Sequence, residues 1–436
     1  MNSILIRNAK IVSPFKDYIE NGDIFIKDGI ISAIGQGLKE DGEIIDAGGL
    51  HAFPGLVDIH VHFRDPGLTH KEDIVTGCEA AAAGGFTTVV CMANTSPAAD
   101  NPETIGYIIQ QAKNVKIRLY PVAAVTRGLK GEELTNFTAL KKAGAAAFSD
   151  DGFPVKSNNI MREALVQSNK LDVPLLLHCE DPDLTGKIGS IGNGIMNDGE
   201  ISEKLSVPGI KRASEDIATQ RAVSFAQESD AKIHIQHIST AGAVEIVRRA
   251  KFQDKTAKSS GFQITAETAP HYFSLTENEL LSKDADFRMN PPLRTAGDVA
   301  AVLKGLEDGT INCIATDHAP HTPDEKSDFI SAPNGIIGLE TSFAVAITEL
   351  YHKQKYSLGK IAGLLSYNGA NILGLPCCNM QKGGIADIIL ADINRKWTVD
   401  PARFYSKSSN SPYKGRELTG QVVMTICNGK VIYSRP

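Results

Sequence analysis

Apolar and polar positions along the 436-residue chain fall into two textures. The first fifty residues alternate with a period near two in SILIRNAKIV (3–12), in GDIFIKDGIISAIG (22–35) with its Lys27-Asp28-Gly29 turn, and in EIIDAGGL (43–50). Such runs read as short strands with turn punctuation. The last fifty or so return to that texture in IADIILADI (385–393) and QVVMTICNGKVIYS (421–434), the latter bent at Asn428-Gly429, a strong hairpin signal. Chain ends of compact proteins often lie close together, so residues 1–52 and 377–436 are expected to pair into one small β-sandwich domain.

Between them, over 53–376, apolar β-rich runs alternate with helix-like ones. Eight runs read as buried strands: 53–63, 87–94, 117–125, 145–151, 173–180, 232–239, 264–272 and 312–319. Segments 70–85, 160–171, 216–228 and 296–309 carry apolar residues at three- and four-residue spacing and read as amphipathic helices. Eight buried strands alternating with helices predict an α/β fold, a parallel (β/α)8 TIM barrel. Two long connections, 181–216 and the Lys/Ser-rich 251–262, are taken as surface excursions.

Composition removes several function classes. With 42% hydrophobic and 22% charged residues, disorder and a small disulfide scaffold are excluded. Lysine plus arginine (45) against aspartate plus glutamate (51) leaves −6, which argues against nucleic acid or an anionic membrane as the main partner and for a small molecule. Seven cysteines without a CxxC pattern, several inside apolar runs (Cys78, Cys91, Cys179), suit reduced thiols. No stretch is long and apolar enough for a membrane helix and the first residues have no leader texture, so the expectation is a soluble cytoplasmic protein.

Polar residues collect where the strand-like runs end, as they do at the active-site face of barrel enzymes. The first run ends in His60 and His62, the second in Asn94, the fourth in Asp150-Asp151, the fifth in His178, the sixth in His237 and the eighth in Asp317. His60 and His62, two apart on a strand, point the same way and can grip one ion. Four histidines and two carboxylates on one rim form a divalent-metal ligand set. His234 competes with His237, and Asp150 with Asp151, and strand pleating alone does not decide. His51, His70 and His352 fall outside the strand ends and read as surface or loop residues, while His271 and His318 lie near the rim. The cysteines, Cys179 beside His178 included, read as small core residues.

Asp58-x-His60-x-His62-Phe63-Arg64-Asp65-Pro66-Gly67 resembles the first signature of the class I dihydroorotases of the amidohydrolase superfamily. Ala315-Thr316-Asp317-His318-Ala319-Pro320-His321, with Lys326 five residues on, resembles the second. Supporting similarity lies in Met92-Ala93-Asn94-Thr95, Phe148-Ser149-Asp150-Asp151-Gly152, His237-Ile238-Ser239, Met289-Asn290-Pro291-Pro292-Leu293-Arg294 and Asn371-Ile372-Leu373-Gly374-Leu375, so it covers nearly the whole chain. The resemblance implies zinc-dependent, reversible cyclisation of N-carbamoyl-L-aspartate to (S)-dihydroorotate in de novo pyrimidine biosynthesis. It implies two zinc ions: His60, His62 and Asp317 on one, His178 and His237 on the other, with Asp151 bridging. Only the family match favours His237 over His234 and Asp151 over Asp150. Asp317 would also carry the proton, Arg64, Asn94 and His321 would hold the α-carboxylate, and Asn290 would contact the ring.

Many superfamily relatives carry a carboxylated lysine at the end of strand four. AAAFSDDG contains no lysine, which fits one dihydroorotase branch and argues against hydantoinase relatives. Two Zn²⁺, two aspartates and a hydroxide leave a formal +1, and Arg64 makes it +2, so the site wants an anion. The polar loop 321–328 is expected to border the pocket. A homodimer, and an association with aspartate transcarbamoylase such as some relatives form, are what the resemblance implies for partners. The rival readings are another cyclic amidohydrolase, allantoinase- or hydantoinase-like, and a catalytically silent barrel acting as an assembly partner, which would be expected to lack some of the ligands.

Overall fold

Residues 3–17, 19–185, 194–256 and 263–435 are described by the computed structural model. Eight parallel strands form the middle of the chain: β1 (Leu56–Val61), β2 (Phe86–Cys91), β3 (Arg118–Ala123), β4 (Ala147–Phe148), β5 (Leu175–Leu177), β6 (Lys232–Ile235), β7 (Gln263–Thr268) and β8 (Cys313–Ile314). They pair in chain order. The circle nearly closes where His62 N donates to His318 O at 2.8 Å, just beyond β1 and β8. Every residue of β1 and β2 is buried, the condition for a strand covered on both faces, so apolar residues occupy both faces and the polar Asp58, His60, Thr87 and Thr88 are buried among them.

The helices between them have local causes. Asp73 caps Ile74–Gly84 by accepting from Thr76 N at 2.9 Å, Ala80–Ala83 are buried, and Gly85 ends the helix at φ 96°, a conformation that glycine adopts without a Cβ clash. Thr295 and Asp298 form a reciprocal cap on Ala296–Asp308. The expected helices 160–171 and 216–228 appear as Asn158–Lys170 and Arg212–Glu228.

The run 53–63 is two strands rather than one. His51–Pro54 pairs antiparallel with Ile388–Ala391 in the terminal sheet, and the chain enters the barrel only at Leu56. Gly55 makes the passage, since a Cβ there would meet Thr87 Cγ2 at 2.5 Å. His51 is therefore buried in that sheet and not a surface residue, and burial, with Lys10 adding, pulls its imidazole down to about 4.

The chain ends do meet. Strands 430–434, 417–427, 388–398, 51–54, 3–11, 20–27 and 30–35 lie in that order, with 43–46 beside 3–11. Ile30 bridges Ile385, and Ile31 N donates to Gly384 O at 2.9 Å, so the expected sandwich takes the form of one sheet curled round its own core of Ile4, Ile6, Ile24, Ile26, Ile388 and Leu390. Asn428-Gly429 makes the tight hairpin turn that its sequence demands, with both φ values positive (50° and 69°).

The connection 181–216 is more than a surface excursion. Met196–Asn197 pairs with Gly209–Ile210 around a helix, Glu200–Leu205, and the buried Asn197 bonds Arg294 at 2.9 Å and Glu277 at 2.6 Å. Of the Lys/Ser-rich patch, the first part belongs to the helix Ala241–Thr256, and 257–262, like 186–193 of the other connection, lies outside the described residues. All seven cysteines are free and six are buried. No helix among the described residues is long and apolar enough to cross a membrane.

Barrel and terminal sheet are tied by charge as well as by packing. Arg118, which opens β3, pairs with Asp387, which is 1% exposed and also accepts from Asn428 N at 2.7 Å. Removing one partner of such a pair strands the other. Asp387→Ala should cost about 3 kcal/mol in urea unfolding; a loss below about 0.5 kcal/mol, the level of an ordinary surface substitution, would contradict this role.

Candidate metal centre

The site is assembled at the C-terminal ends of the strands. At its base Asp58, fully buried, accepts from His60 N and Thr316 N, both at 3.1 Å, and thereby joins β1 to the segment after β8. β4, β5 and β8 are two, three and two residues long, and site residues follow each of them directly. Arg64, His237 and Asp317 hold positive φ values of 59°, 35° and 50°, which non-glycine residues adopt only where surrounding structure enforces it.

Asp151 stands at the centre. Its Oδ1 lies 3.5 Å from His60 Nε2, 3.5 Å from His178 Nδ1 and 3.3 Å from His237 Nε2, and its Oδ2 lies 3.3 Å from His62 Nε2. Asp317 Oδ1 faces His62 Nε2 at 3.1 Å and His60 Nε2 at 3.5 Å. His178 Nδ1 and His237 Nε2 are 2.8 Å apart. His60, His62 and Asp151 offer one set of three ligand atoms, and Asp151, His178 and His237 a second, with the atoms of each set within 4.8 Å of one another.

The outward nitrogens are held by neighbours. His60 Nδ1 bonds Glu267 Oε1 at 2.7 Å, His62 Nδ1 bonds Asn94 Oδ1 at 2.8 Å, and His178 Nε2 lies 3.7 Å from Glu180 Oε2. The His60 and His62 rings are thus fixed with the other nitrogen turned to the centre, the arrangement that supports a metal-ligating histidine, while Glu180 faces His178 Nε2 as a charge partner beyond hydrogen-bond distance. His60 Nε2 is buried with no hydrogen-bond partner although two carboxylates face it, as a cation site requires. Burial works against a charged His60, but Asp151 and Asp317 outweigh it and raise the imidazole well above its usual range. His178 is likewise raised, to about 10, by Asp151 and Glu180 against burial. These imidazoles and carboxylates, buried and converging on one point, are the donor set that suits a divalent cation.

The two ambiguous pairs are separated by their hydrogen bonds. Asp150 turns away from the centre and accepts from Val125 N at 2.7 Å, Thr126 N at 3.1 Å and Thr126 Oγ1. His234 lies deeper, between Thr265 Oγ1 at 2.8 Å and Glu267 Oε2 at 3.1 Å. His234, Glu267 and Cys313 also lie close enough to hold a metal, but both imidazole nitrogens are bonded and burial pushes the Cys313 thiol well up, so they form a hydrogen-bonded core group.

Arg64 Nε reaches Pro320 O at 3.4 Å, and its Nη2 is 3.4 Å from His321 Nε2. Among the described residues no carboxylate lies within 4.0 Å of the Arg64 guanidinium. His321 donates from Nε2 to Asn334 O at 3.0 Å and faces Lys71 Nζ with Nδ1 at 3.3 Å. Burial, then Arg64 and Lys71, pull its imidazole down to about 3, so it is neutral. Asn94 is the partner of His62 and keeps its Nδ2 only 3.5 Å from Asp151 O, while Asn290 has a buried Oδ1 without a partner. In the loop 321–328, Glu325 pairs with Lys71 at 2.7 Å, beside His321. His318 accepts from Gly338 N at 3.2 Å, and His271 is buried with neither ring nitrogen bonded.

Sequence reasoning missed Glu267 and Glu180. A lone carboxylate inside the run ITAETAP was the available signal, because a charge in a fully buried strand needs a partner.

The model of the family described as "Dihydro-orotase-like" matches residues 49–243. A dihydroorotase of Clostridioides difficile (strain 630) is 44% identical over 434 residues, covering 99% of this chain and 100% of its own. One of Geobacter sp. (strain M21) is 43% identical over 435 residues, with 99% of each chain covered. Among solved structures, the L-hydantoinase (dihydropyrimidinase) of Arthrobacter aurescens superposes with a TM-score of 0.86 at 26% identity over 100% of this chain and 96% of that one. The dihydropyrimidinase of Brevibacillus agri NCHU1002 gives 0.82 at 23% identity, over 99% and 95%, a likeness of fold.

Because Asp151 belongs to both ligand sets, Asp151→Asn should weaken divalent-metal binding at least about tenfold, read by competition with a chromophoric chelator. Asp150→Asn should leave metal affinity within about twofold and instead lower thermal stability, through the lost Thr126 clamp. Equal metal affinity in both variants would contradict the assignment.

Proposed function

The chain belongs to the dihydroorotase family, and from that premise we propose that it interconverts N-carbamoyl-L-aspartate and (S)-dihydroorotate at the Asp151 cluster, the ring closure of de novo pyrimidine biosynthesis. The supporting observation is the neighbourhood of two things: a group of imidazoles and carboxylates that could hold a cation, and a partly buried guanidinium, Arg64, with no carboxylate within 4.0 Å among the described residues. A cyclic amide that carries a carboxylate satisfies both at once. Hydantoin and allantoin bring no carboxylate for Arg64 to bind in bidentate fashion.

The proposed ions are two zincs, His60, His62 and Asp317 on one and His178 and His237 on the other, with Asp151 between. When bound, they supply Lewis acidity for the reacting carbonyl and bring the ionisation of water into the neutral range. Burial alone would raise the Asp317 carboxyl, but the facing imidazoles of His60 and His62 hold it down to about 2, so it is an ionised base at neutral pH. In the hydrolytic direction Asp317 accepts the proton of the attacking water and delivers it to the ring nitrogen as the carbon–nitrogen bond breaks. In the biosynthetic direction Asp317 takes the proton from the attacking ureido nitrogen and returns it to a carboxyl oxygen, which leaves as water with a second proton taken up from solvent.

Arg64, with Asn94 Nδ2 and His321, holds the α-carboxylate, and the unpartnered Asn290 Oδ1 accepts from a ring N–H. His321 is neutral, with Nε2 donating to Asn334 O and Nδ1 facing Lys71 Nζ, so it lends the carboxylate pocket shape rather than charge. A homodimer in the cytoplasm, with or without an aspartate transcarbamoylase, is the assembly that family membership suggests.

Purified protein incubated with dihydroorotate or N-carbamoyl-L-aspartate should interconvert them, and a chelator should abolish the reaction until zinc is restored. Turnover of hydantoin or allantoin without turnover of dihydroorotate would replace this reading with the rival one. Arg64→Met should raise the KM for dihydroorotate at least about tenfold, the worth of a charge-assisted bidentate contact; an unchanged KM would remove Arg64 from the carboxylate.

A further inference from the structure

The C-terminal strands of the terminal sheet and the segment around 395–415 enclose a groove of about 860 Å³ that none of the proposed catalytic residues lines. Its volume falls within the range of small-molecule sites. Arg395, Lys396, Arg403, Lys414 and Arg435 line it, against two carboxylates, Glu340 and Asp400, in a chain whose net charge is −6. Asp400 is paired with Arg403 at 3.3 Å, and Lys396 with Glu417 at 2.9 Å. Arg395 and Lys414 have no carboxylate within 4.0 Å among the described residues. Glu340 accepts from Tyr405 N at 2.8 Å and Ser406 N at 3.3 Å, and burial pushes its carboxyl up to about 8, so near neutral pH it offsets little of that positive charge.

The same walls carry flat rings and an unsatisfied amide. Tyr405, 47% exposed, meets Tyr433 edge to face at 5.8 Å, and Trp397 commits its indole N–H to Gly420 O at 2.9 Å, leaving only ring surface to offer. Gln421 also lines the groove. It is 6% exposed, and its Oε1 has no hydrogen-bond partner among the described residues. A buried amide oxygen without a donor is costly, and a ligand N–H removes that cost. Anion-binding cations, aromatic faces and a lone acceptor are together the complement of a phosphorylated heteroaromatic molecule.

We propose that this groove binds a nucleoside polyphosphate, its phosphates at Arg395 and Lys414, its base against the Tyr405 and Tyr433 rings, and a base N–H at Gln421. Nothing in the proposed reaction uses these residues, so the site serves an effector rather than a substrate.

Calorimetric titration of the zinc-loaded protein with magnesium ATP as the probe tests this. Saturable binding is expected with a Kd below about 1 mM. The double variant Arg395→Ala/Lys414→Ala should weaken it at least about tenfold, and Gln421→Leu or Tyr405→Ala severalfold, with dihydroorotate turnover unchanged in the double variant. Inorganic triphosphate and adenosine should each bind at least about tenfold more weakly than ATP. Absence of saturable binding, affinity untouched by the double variant, displacement by dihydroorotate in simple competition, or triphosphate binding as tightly as ATP would each overturn the proposal.

Discussion

The Asp151 carboxylate lies within 3.5 Å of ring nitrogens from His60, His62, His178 and His237, in a place where all five side chains are buried. So many donors and acceptors cannot share a dry volume without a cation or protons among them. The surrounding structure keeps those rings turned inward. Glu267 and Asn94 hold the far nitrogens of His60 and His62, and Asp58 clamps the backbone of His60 to that of Thr316. His237 and Asp317 accept an unfavourable backbone conformation to reach the same point. A nearly closed sheet can enforce this because the inner strands are each fixed by two neighbours and the first and last are joined through His62 and His318, so the strand ends cannot relax independently.

Around that centre the rim is divided by charge. On one side lie the carboxylates and imidazoles; on the other are Arg64, Lys71 and Lys326, with the neutral His321 between Arg64 and Lys71. Lys326 is buried and donates to three carbonyls, those of Arg288, Pro333 and Gly335, at 3.0 to 3.3 Å, and burial draws its ammonium down to about 7. It fastens the chain after β8 and so fixes the carbonyls of Pro320 and Asn334 that orient Arg64 and His321. The anion-holding side is thus built on backbone as much as on side chains.

Much of this was legible in the sequence, for identifiable reasons. Strands buried on both faces carry apolar residues on both, so β1 to β8 could be read as largely apolar runs, and the polar residues gathered at their ends stood out against that background. What escaped was whatever depends on a distant partner. Asp150 and Asp151 are one position apart and chemically alike; only the Val125 and Thr126 amides, 24 to 26 residues away, assign one to the backbone and the other to the centre. Glu267 looked like any acidic residue until His60 and His234 were brought to it across the barrel. The run 53–63 hid a change of sheet at Gly55, because hydrophobicity records burial and not which sheet provides it. For the same reason His51 was read as a surface residue, and the packed part of 181–216 as an excursion.

The central claim is that one carboxylate, Asp151, lies between two metal positions. Diffraction from zinc-loaded crystals on both sides of the zinc absorption edge tests it most directly. The account predicts two anomalous peaks about 3.5 to 4 Å apart on either side of Asp151, one toward His60 and His62 and the other toward His178 and His237. A lone peak, or zinc seated at His234, Glu267 and Cys313 instead, would contradict it.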